Sequence, residues 1–178
     1  LSKRQSGILL EFLGATETVT GSRFVLSTPR ARVLVDCGLY QGLKPLRERN
    51  WKPSGIVPES LDAMVLTHAH IDHSGFLPRL MREGFRGSVF ATHRTRELCE
   101  IVLPDSGHLQ EEEARFAKSA GFSKHANPQP LYTRDDAIAC LKQFRGVSYD
   151  TRIEVAAGVW ATFRSAGHIL GSATIAIE

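Results

Sequence analysis

Thr67-His68-Ala69-His70-Ile71-Asp72-His73-Ser74-Gly75 follows directly on the apolar run Ala63-Met64-Val65-Leu66. An apolar run that breaks into such a polar cluster reads as a strand delivering three imidazoles and one carboxylate to a sheet edge. Neutral imidazole and carboxylate are ligands for zinc and its neighbours, and an ion with an open position acidifies water at neutral pH. These four side chains would make a strange core. The bland alternative is a His-rich surface loop.

Working outward, Leu34-Val35-Asp36-Cys37-Gly38 places an Asp at a strand end upstream. Downstream, Ala166-Gly167-His168-Ile169-Leu170-Gly171-Ser172-Ala173 sets one His between two glycines that let the backbone turn tightly. In this order the three segments resemble the motifs of the metallo-β-lactamase superfamily, from about Gly7 to the end of the chain. Phe12-Leu13-Gly14-Ala15-Thr16-Glu17-Thr18-Val19-Thr20-Gly21-Ser22, the Gly42-containing segment after Asp36, and Leu103-Pro104-Asp105-Ser106-Gly107-His108-Leu109-Gln110 are similar to its β-CASP nucleases, the RNA-processing branch.

The resemblance implies an α/β fold, the αββα sandwich of that superfamily, with residues 1–178 forming one metallo-β-lactamase-like domain. His68, His70 and His168 would bind one zinc, and Asp72 and His73 would begin a second site. Asp72 would combine metal ligation with a catalytic role near the nucleophilic water, while Asp36 would hydrogen-bond to the His-rich loop rather than touch metal. The implied activity is zinc-dependent hydrolysis of RNA phosphodiester bonds. A thioester or lactam hydrolase of the same fold, and a non-catalytic metal-binding or interaction module, are the rival readings.

In the resembling family the last strand is soon followed by an Asp that bridges two metals, then by the β-CASP domain and further His ligands. After His168 this chain has no Asp or His. The expectation is therefore a domain incomplete at its C-terminus: the first half plus the start of the second sheet, without the β-CASP domain. Two zinc ions belong to the complete site; one at most is expected here, with little or no catalysis. An apolar sheet face left uncovered would be prone to pair with another chain, so a homo-oligomer is open.

Composition is compatible with this reading. The 178 residues are 42% hydrophobic and 23% charged, ordinary for a soluble globular domain, and the formal charge of +3 permits a polyanionic partner without demonstrating one. No apolar run approaches a membrane span, and Leu1-Ser2-Lys3-Arg4-Gln5-Ser6 lacks the apolar region of a signal peptide. Cys37, Cys99 and Cys140 are sparse and odd in number, which suits a reducing cytoplasm better than a disulfide framework.

Strands are expected at Ile8–Phe12, Ser22–Ser27, Ala31–Val35, Ala63–Leu66, Ser88–Ala91, Ile153–Val155, Val159–Arg164 and Ala173–Ile177. Phe76, Leu77, Leu80 and Met81 recur at helical spacing, with Pro78 in the first turn and Gly84 as the stop. Thr92 is read as the cap of a helix carrying Leu98, Ile101 and Val102, and Asp105 as the cap of a further one. Thr133 with Asp136 opens a helix striped by Ile138, Leu141 and Phe144 and ended by Gly146. Gly121–Gln129 is the best linker candidate. Thr67 and Ser74 are read as braces of the His loop, and Cys37, Trp51 and Trp160 as packing residues. His93 and His125 carry no motif, and Glu111–Glu113 read as a solvated helix face. Asp105, Ser106 and His108 are left open for a role at the site's rim. Arg79, Arg82, Arg86, Arg94 and Arg96 are either a phosphate track or scattered solvated charge.

Overall fold

The computed structural model describes residues 7–120 and 127–178; the calls on the first six residues, on His125 and on the start of the linker candidate fall outside them. Six strands lie side by side in chain order: β1 (Leu9–Phe12), β2 (Phe24–Ser27), β3 (Arg32–Val35), β4 (Ala63–Val65), β5 (Ser88–Thr92) and β6 (Phe144–Val147). The first three are antiparallel neighbours, β1 and β2 joined by the loop 13–23 and β2 and β3 by the short turn 28–31. From β3 to β6 the pairing is parallel, which demands crossovers. These crossovers carry α1 (Lys44–Arg47), then α2 (Ile71–Ser74) and α3 (Leu77–Arg82), then α4 (His93–Ser119) and α5 (Arg134–Cys140).

Register assigns the two faces of this sheet. Val25, Leu34, Met64, Val89 and Phe144 are successive cross-strand partners, and all five pack into the core beneath the helices with Leu77, Leu80 and Phe85. The alternate row, Val35, Val65 and Phe90, points the other way. There it meets an antiparallel sheet of β7 (Arg152–Ala156), β8 (Val159–Ser165) and β9 (Ala173–Ile177) through Val155, Val159, Ala161 and Phe163. Helices, large sheet and small sheet make three stacked layers of an α/β sandwich.

Two elements differ from the sequence reading. Asp105 caps nothing, because α4 runs unbroken for 27 residues with Pro104 inside it. Thr95, Cys99, Leu103 and Gly107, spaced four apart, form its buried ridge, and tertiary burial outweighs the backbone hydrogen bond that Pro104 cannot donate. A Cβ on Gly107 would press on the backbone of Thr133 and Arg134, so this glycine lets α5 start against α4. The helix opened by Thr133 has the expected capping box but ends at Cys140. Phe144 and Gly146 belong to β6 instead, since pairing with Val89 and Ala91 buries Phe144 in the sheet.

Trp51 is not core either: it is 54% exposed. Trp160 is half-buried on the outer face of the small sheet, with the Arg152 guanidinium 4.2 Å above its ring. Cys37, Cys99 and Cys140 are all buried thiols, and burial pushes Cys37 and Cys99 up to about 12. An apolar groove of about 740 Å³ lies between the two sheets, lined by Leu10, Phe12, Phe24, Leu26 and Ile175. No helix among the described residues is long and apolar enough to cross a membrane.

Phe163 is fully buried between the sheets, so Phe163→Ala should cost about 3–5 kcal/mol in urea unfolding. Ile101→Ala, at a side chain 68% exposed on α4, should stay within about 0.5 kcal/mol.

Candidate metal centre

The site forms where β3 and β4 end side by side. Asp36 leaves β3 in the left-handed region, φ 56°, a conformation that Asp tolerates better than most residues. That turn buries its carboxylate between the ends of the two strands. Oδ1 accepts the Thr67 backbone N–H at 2.8 Å, and both oxygens lie within 3.0 Å of the Thr67 hydroxyl. Oδ2 lies 2.7 Å from His73 Nδ1. One carboxylate thus fixes both ends of the His loop.

The backbone repeats the clamp. Leu39 and Cys37 N–H donate to the carbonyls of Ile71 and His73, and Ser22 N–H donates to that of Asp72. Gly38 lies so close beneath this segment that a Cβ there would overlap the Asp72 carbonyl. Ser74 Oγ donates to the carbonyls of Ala69 and His70, 3.0 Å each, so Thr67 and Ser74 do brace the loop.

His168 arrives from the loop between β8 and β9, where Gly167 and Gly171 take positive φ of 65° and 81°. Thr92 and Thr95, at the start of α4, both donate their hydroxyls to the Gly171 carbonyl at 2.6 and 2.8 Å. Ala173 N–H donates to the Thr67 carbonyl, tying this loop to the residue before His68. Thr92 therefore caps α4 and moors the His168 loop at once.

The structure brings His68, His70 and His168 together. His68 Nε2 and His168 Nε2 lie 3.1 and 3.2 Å from the same atom, His70 Nδ1, and ligand nitrogens of all three fall within 4.8 Å of one another. Nitrogens each about 2.0–2.1 Å from one tetrahedral ion would sit about 3.3–3.4 Å apart. A single Nδ1 cannot satisfy two imidazoles by hydrogen bonding if both neighbours also need protons there, whereas a shared cation satisfies all three. The donor set fits a zinc-like ion. Asp72 and His73 stand beside this trio, Asp72 Oδ2 being 3.7 Å from His73 Nε2, and the His73 ring lies 4.1 Å from that of His68.

Electrostatics separate the histidines. Burial, with the neighbouring His73, pushes His68 down to about 4, which keeps its imidazole neutral and able to ligate. Burial also opposes charge on His73, but its hydrogen bond to Asp36 and the charges of Asp36 and Asp72 outweigh that and raise its pKa.

Other candidates lie outside the trio. Ser106 accepts the Tyr132 hydroxyl at 2.8 Å, a packing contact between α4 and the segment before α5. Glu111 accepts the Arg134 N–H, and Glu112 pairs with Arg115. Four of the five arginines after the His loop pair with carboxylates: Arg79 with Glu83, Arg82 with Asp136, Arg94 with Glu97 and Arg96 with Glu100. Arg86 donates to the carbonyls of Met81 and Phe85. Three of these ion pairs are local, within one helical turn, and the Arg82 pair joins α3 to α5.

Comparison with known proteins agrees with this geometry. The metallo-beta-lactamase superfamily profile matches residues 19–89. The chain is 38% identical to ribonuclease TTHA0252 of Thermus thermophilus over 93% of its own length and 34% of the relative's. It is 33% identical to transcription termination factor FttA of Methanocaldococcus jannaschii, covering 93% of this chain and 24% of that one. For cleavage and polyadenylation specificity factor 73 of Drosophila melanogaster the identity is 29%, with 93% and 22% covered. It thus spans about a third or less of these curated relatives. A subclass B3 metallo-beta-lactamase from a soil metagenome, MEM-A1, superposes with a TM-score of 0.56 at 16% identity, over 94% of this chain and 54% of that one. The chain belongs to the metallo-β-lactamase superfamily. Its place there is the β-CASP branch, with the ribonuclease, FttA and cleavage-factor relatives.

The two shifted histidines give the metal-free protein a pH signature. His68 binds its proton near pH 4 when folded and near 6.5 when unfolded, so between these values the unfolded state holds more protons and stability rises with pH. His73 has its folded pKa raised above 6.5, so its contribution is present below that value and fades as pH climbs through the raised one. Urea unfolding of chelator-treated protein should show the rise, and His68→Gln should flatten it.

Proposed function

We propose that this chain is the metal-holding part of a zinc-dependent hydrolase that cleaves RNA phosphodiester bonds. The observation that carries the reading is the convergence of His68, His70 and His168 on one point, in a chain 38% identical to a ribonuclease. These three residues would hold the first ion, with Asp72 and His73 beside it. Bound there, a zinc ion would supply a Lewis acid for a phosphoryl oxygen and a more acidic water.

The chain's own residues divide the remaining work. Asp72, partly exposed and next to His73, would orient the attacking water and take its proton. His73 is fixed by Asp36 through Nδ1 and turns Nε2 towards Asp72. Asp36 acts through its neighbours: buried and saturated by Thr67 and His73, it orients the ligands without facing the substrate.

Asp72 and the one uncommitted nitrogen of His73 are too few donors for a tight second site. One ion per chain is therefore proposed for residues 1–178, read as a metallo-β-lactamase-like domain, and this stretch alone should hydrolyse RNA weakly or not at all. The full RNA-processing activity, in the cytoplasm, is proposed for a longer architecture such as the relatives have.

Protein exchanged through zinc-containing buffer should carry about one zinc per chain by metal analysis, and His68→Ala with His70→Ala should lose it. Equal zinc in the double variant would contradict the ligand assignment. In a version carrying the whole catalytic architecture, Asp72→Asn should lower hydrolysis of single-stranded RNA by about 100-fold or more with little change in RNA affinity. Cleavage that survives Asp72→Asn in zinc-loaded protein would refute its role.

A further inference from the structure

A small basic pocket lies on the flank of the loop that follows β3, and it contains none of the candidate metal ligands. Leu13, Arg23, Tyr40, Arg49, Lys52 and Ser54 line most of its roughly 220 Å³. It is smaller than the pockets that hold drug-sized ligands, about 300–1,000 Å³. Three of its side chains are cationic, and no Asp or Glu lines it.

Arg23 is the unusual member. Its residue is 2% exposed, yet no carboxylate forms an ion pair with it among the described residues. The guanidinium stacks 3.9 Å from the centre of the Phe76 ring, and Nε and Nη2 both donate to the Gly38 carbonyl at 2.9 and 2.7 Å. Nη1 has no hydrogen bond among the described residues. No fully buried side-chain nitrogen lacks a partner, so Nη1 reaches accessible space, and the space that Arg23 lines is this pocket. Glu83, the one carboxylate whose charge reaches Arg23, is held by Arg79 at 2.7 Å. Burial lowers the pKa of Arg23, as it must for a charge taken out of water without a counterion.

Burying a cation without a partner is costly, and proteins ordinarily supply the opposite charge. Here the protein supplies two further cations. Arg49 and Lys52 are exposed, and neither forms an ion pair among the described residues. Tyr40 cannot donate into the pocket, because its hydroxyl is given to the Leu13 carbonyl at 3.2 Å. The missing component is an anion of more than one charge and several acceptor oxygens. A guanidinium edge with two flexible cations around it matches phosphate geometry.

We propose that this pocket binds a phosphoryl oxyanion, with Arg23 as the buried anchor and Arg49 and Lys52 as the exposed clamps. The oxyanion is either a backbone phosphate of an RNA strand or free inorganic phosphate. Both use the same contacts.

The test is calorimetric titration of inorganic phosphate into the chelator-treated full chain at fixed ionic strength. Chelation removes any contribution of the metal centre, so failure here is distinct from failure of the hydrolase reading. Binding is expected, and Arg49→Ala with Lys52→Ala should weaken it at least tenfold. Both changes are on the surface and should leave the circular dichroism spectrum unaltered. Arg23→Lys, which keeps the buried charge but removes the second N–H edge, should weaken it too. A second arm adds a single-stranded oligoribonucleotide. Competition between oligonucleotide and phosphate, lost in the surface double variant, identifies the RNA backbone as the source. Oligonucleotide binding indifferent to phosphate and to the double variant identifies free phosphate. Absence of phosphate binding at millimolar concentration would overturn the proposal, as would equal binding by wild type and the double variant.

Discussion

The hydrogen bonds of the Asp36 carboxylate hold the rest of the site in place. A carboxylate 2% exposed is costly unless it is hydrogen-bonded, and here Thr67 N–H, Thr67 Oγ1 and His73 Nδ1 supply the partners. The consequence is geometric. The end of β3, the end of β4 and the first turn of α2 become one rigid unit, and His68 and His70 lie within it. The Ala173 N–H bond to the Thr67 carbonyl then ties the second sheet to the same unit, so that His168 returns across nearly a hundred residues of chain to a fixed place.

Much of this was legible in the sequence because several levels of information agree there. The apolar run at Ala63–Leu66, the His-rich segment after it and the Asp at the end of Leu34-Val35 each mean little alone. Their order names the fold, and the structure places the three histidines together where that order implies. Capping chemistry was equally readable: Thr92 and Thr133 accept the N–H groups expected of them. The second task of Thr92, holding the Gly171 carbonyl, had no signal in sequence, since its partner lies 79 residues away.

What was not legible is tertiary. The Leu103-Pro104-Asp105 stretch reads locally as a helix end followed by a helix start, yet the ridge from Thr95 to Gly107 buries against neighbours that a local reading does not see. Phe144-Arg145-Gly146-Val147 has too short a pattern to declare a strand, and only the open edge of β5 makes it one. Arginines mislead in the same way. Four of the five arginines from Arg79 to Arg96, conspicuous by number, are paired with carboxylates, while Arg23, unremarked between Ser22 and Phe24, is buried without one among the described residues.

The central claim is that three imidazoles, positioned through Asp36, make one ion site. X-ray absorption at the zinc edge of the zinc-loaded chain tests it most directly. The account predicts a first shell of nitrogen and oxygen at about 2.0–2.1 Å, with the outer-shell scattering of three imidazole rings. A sulfur shell at about 2.3 Å, or a shell without imidazole scattering, would contradict it.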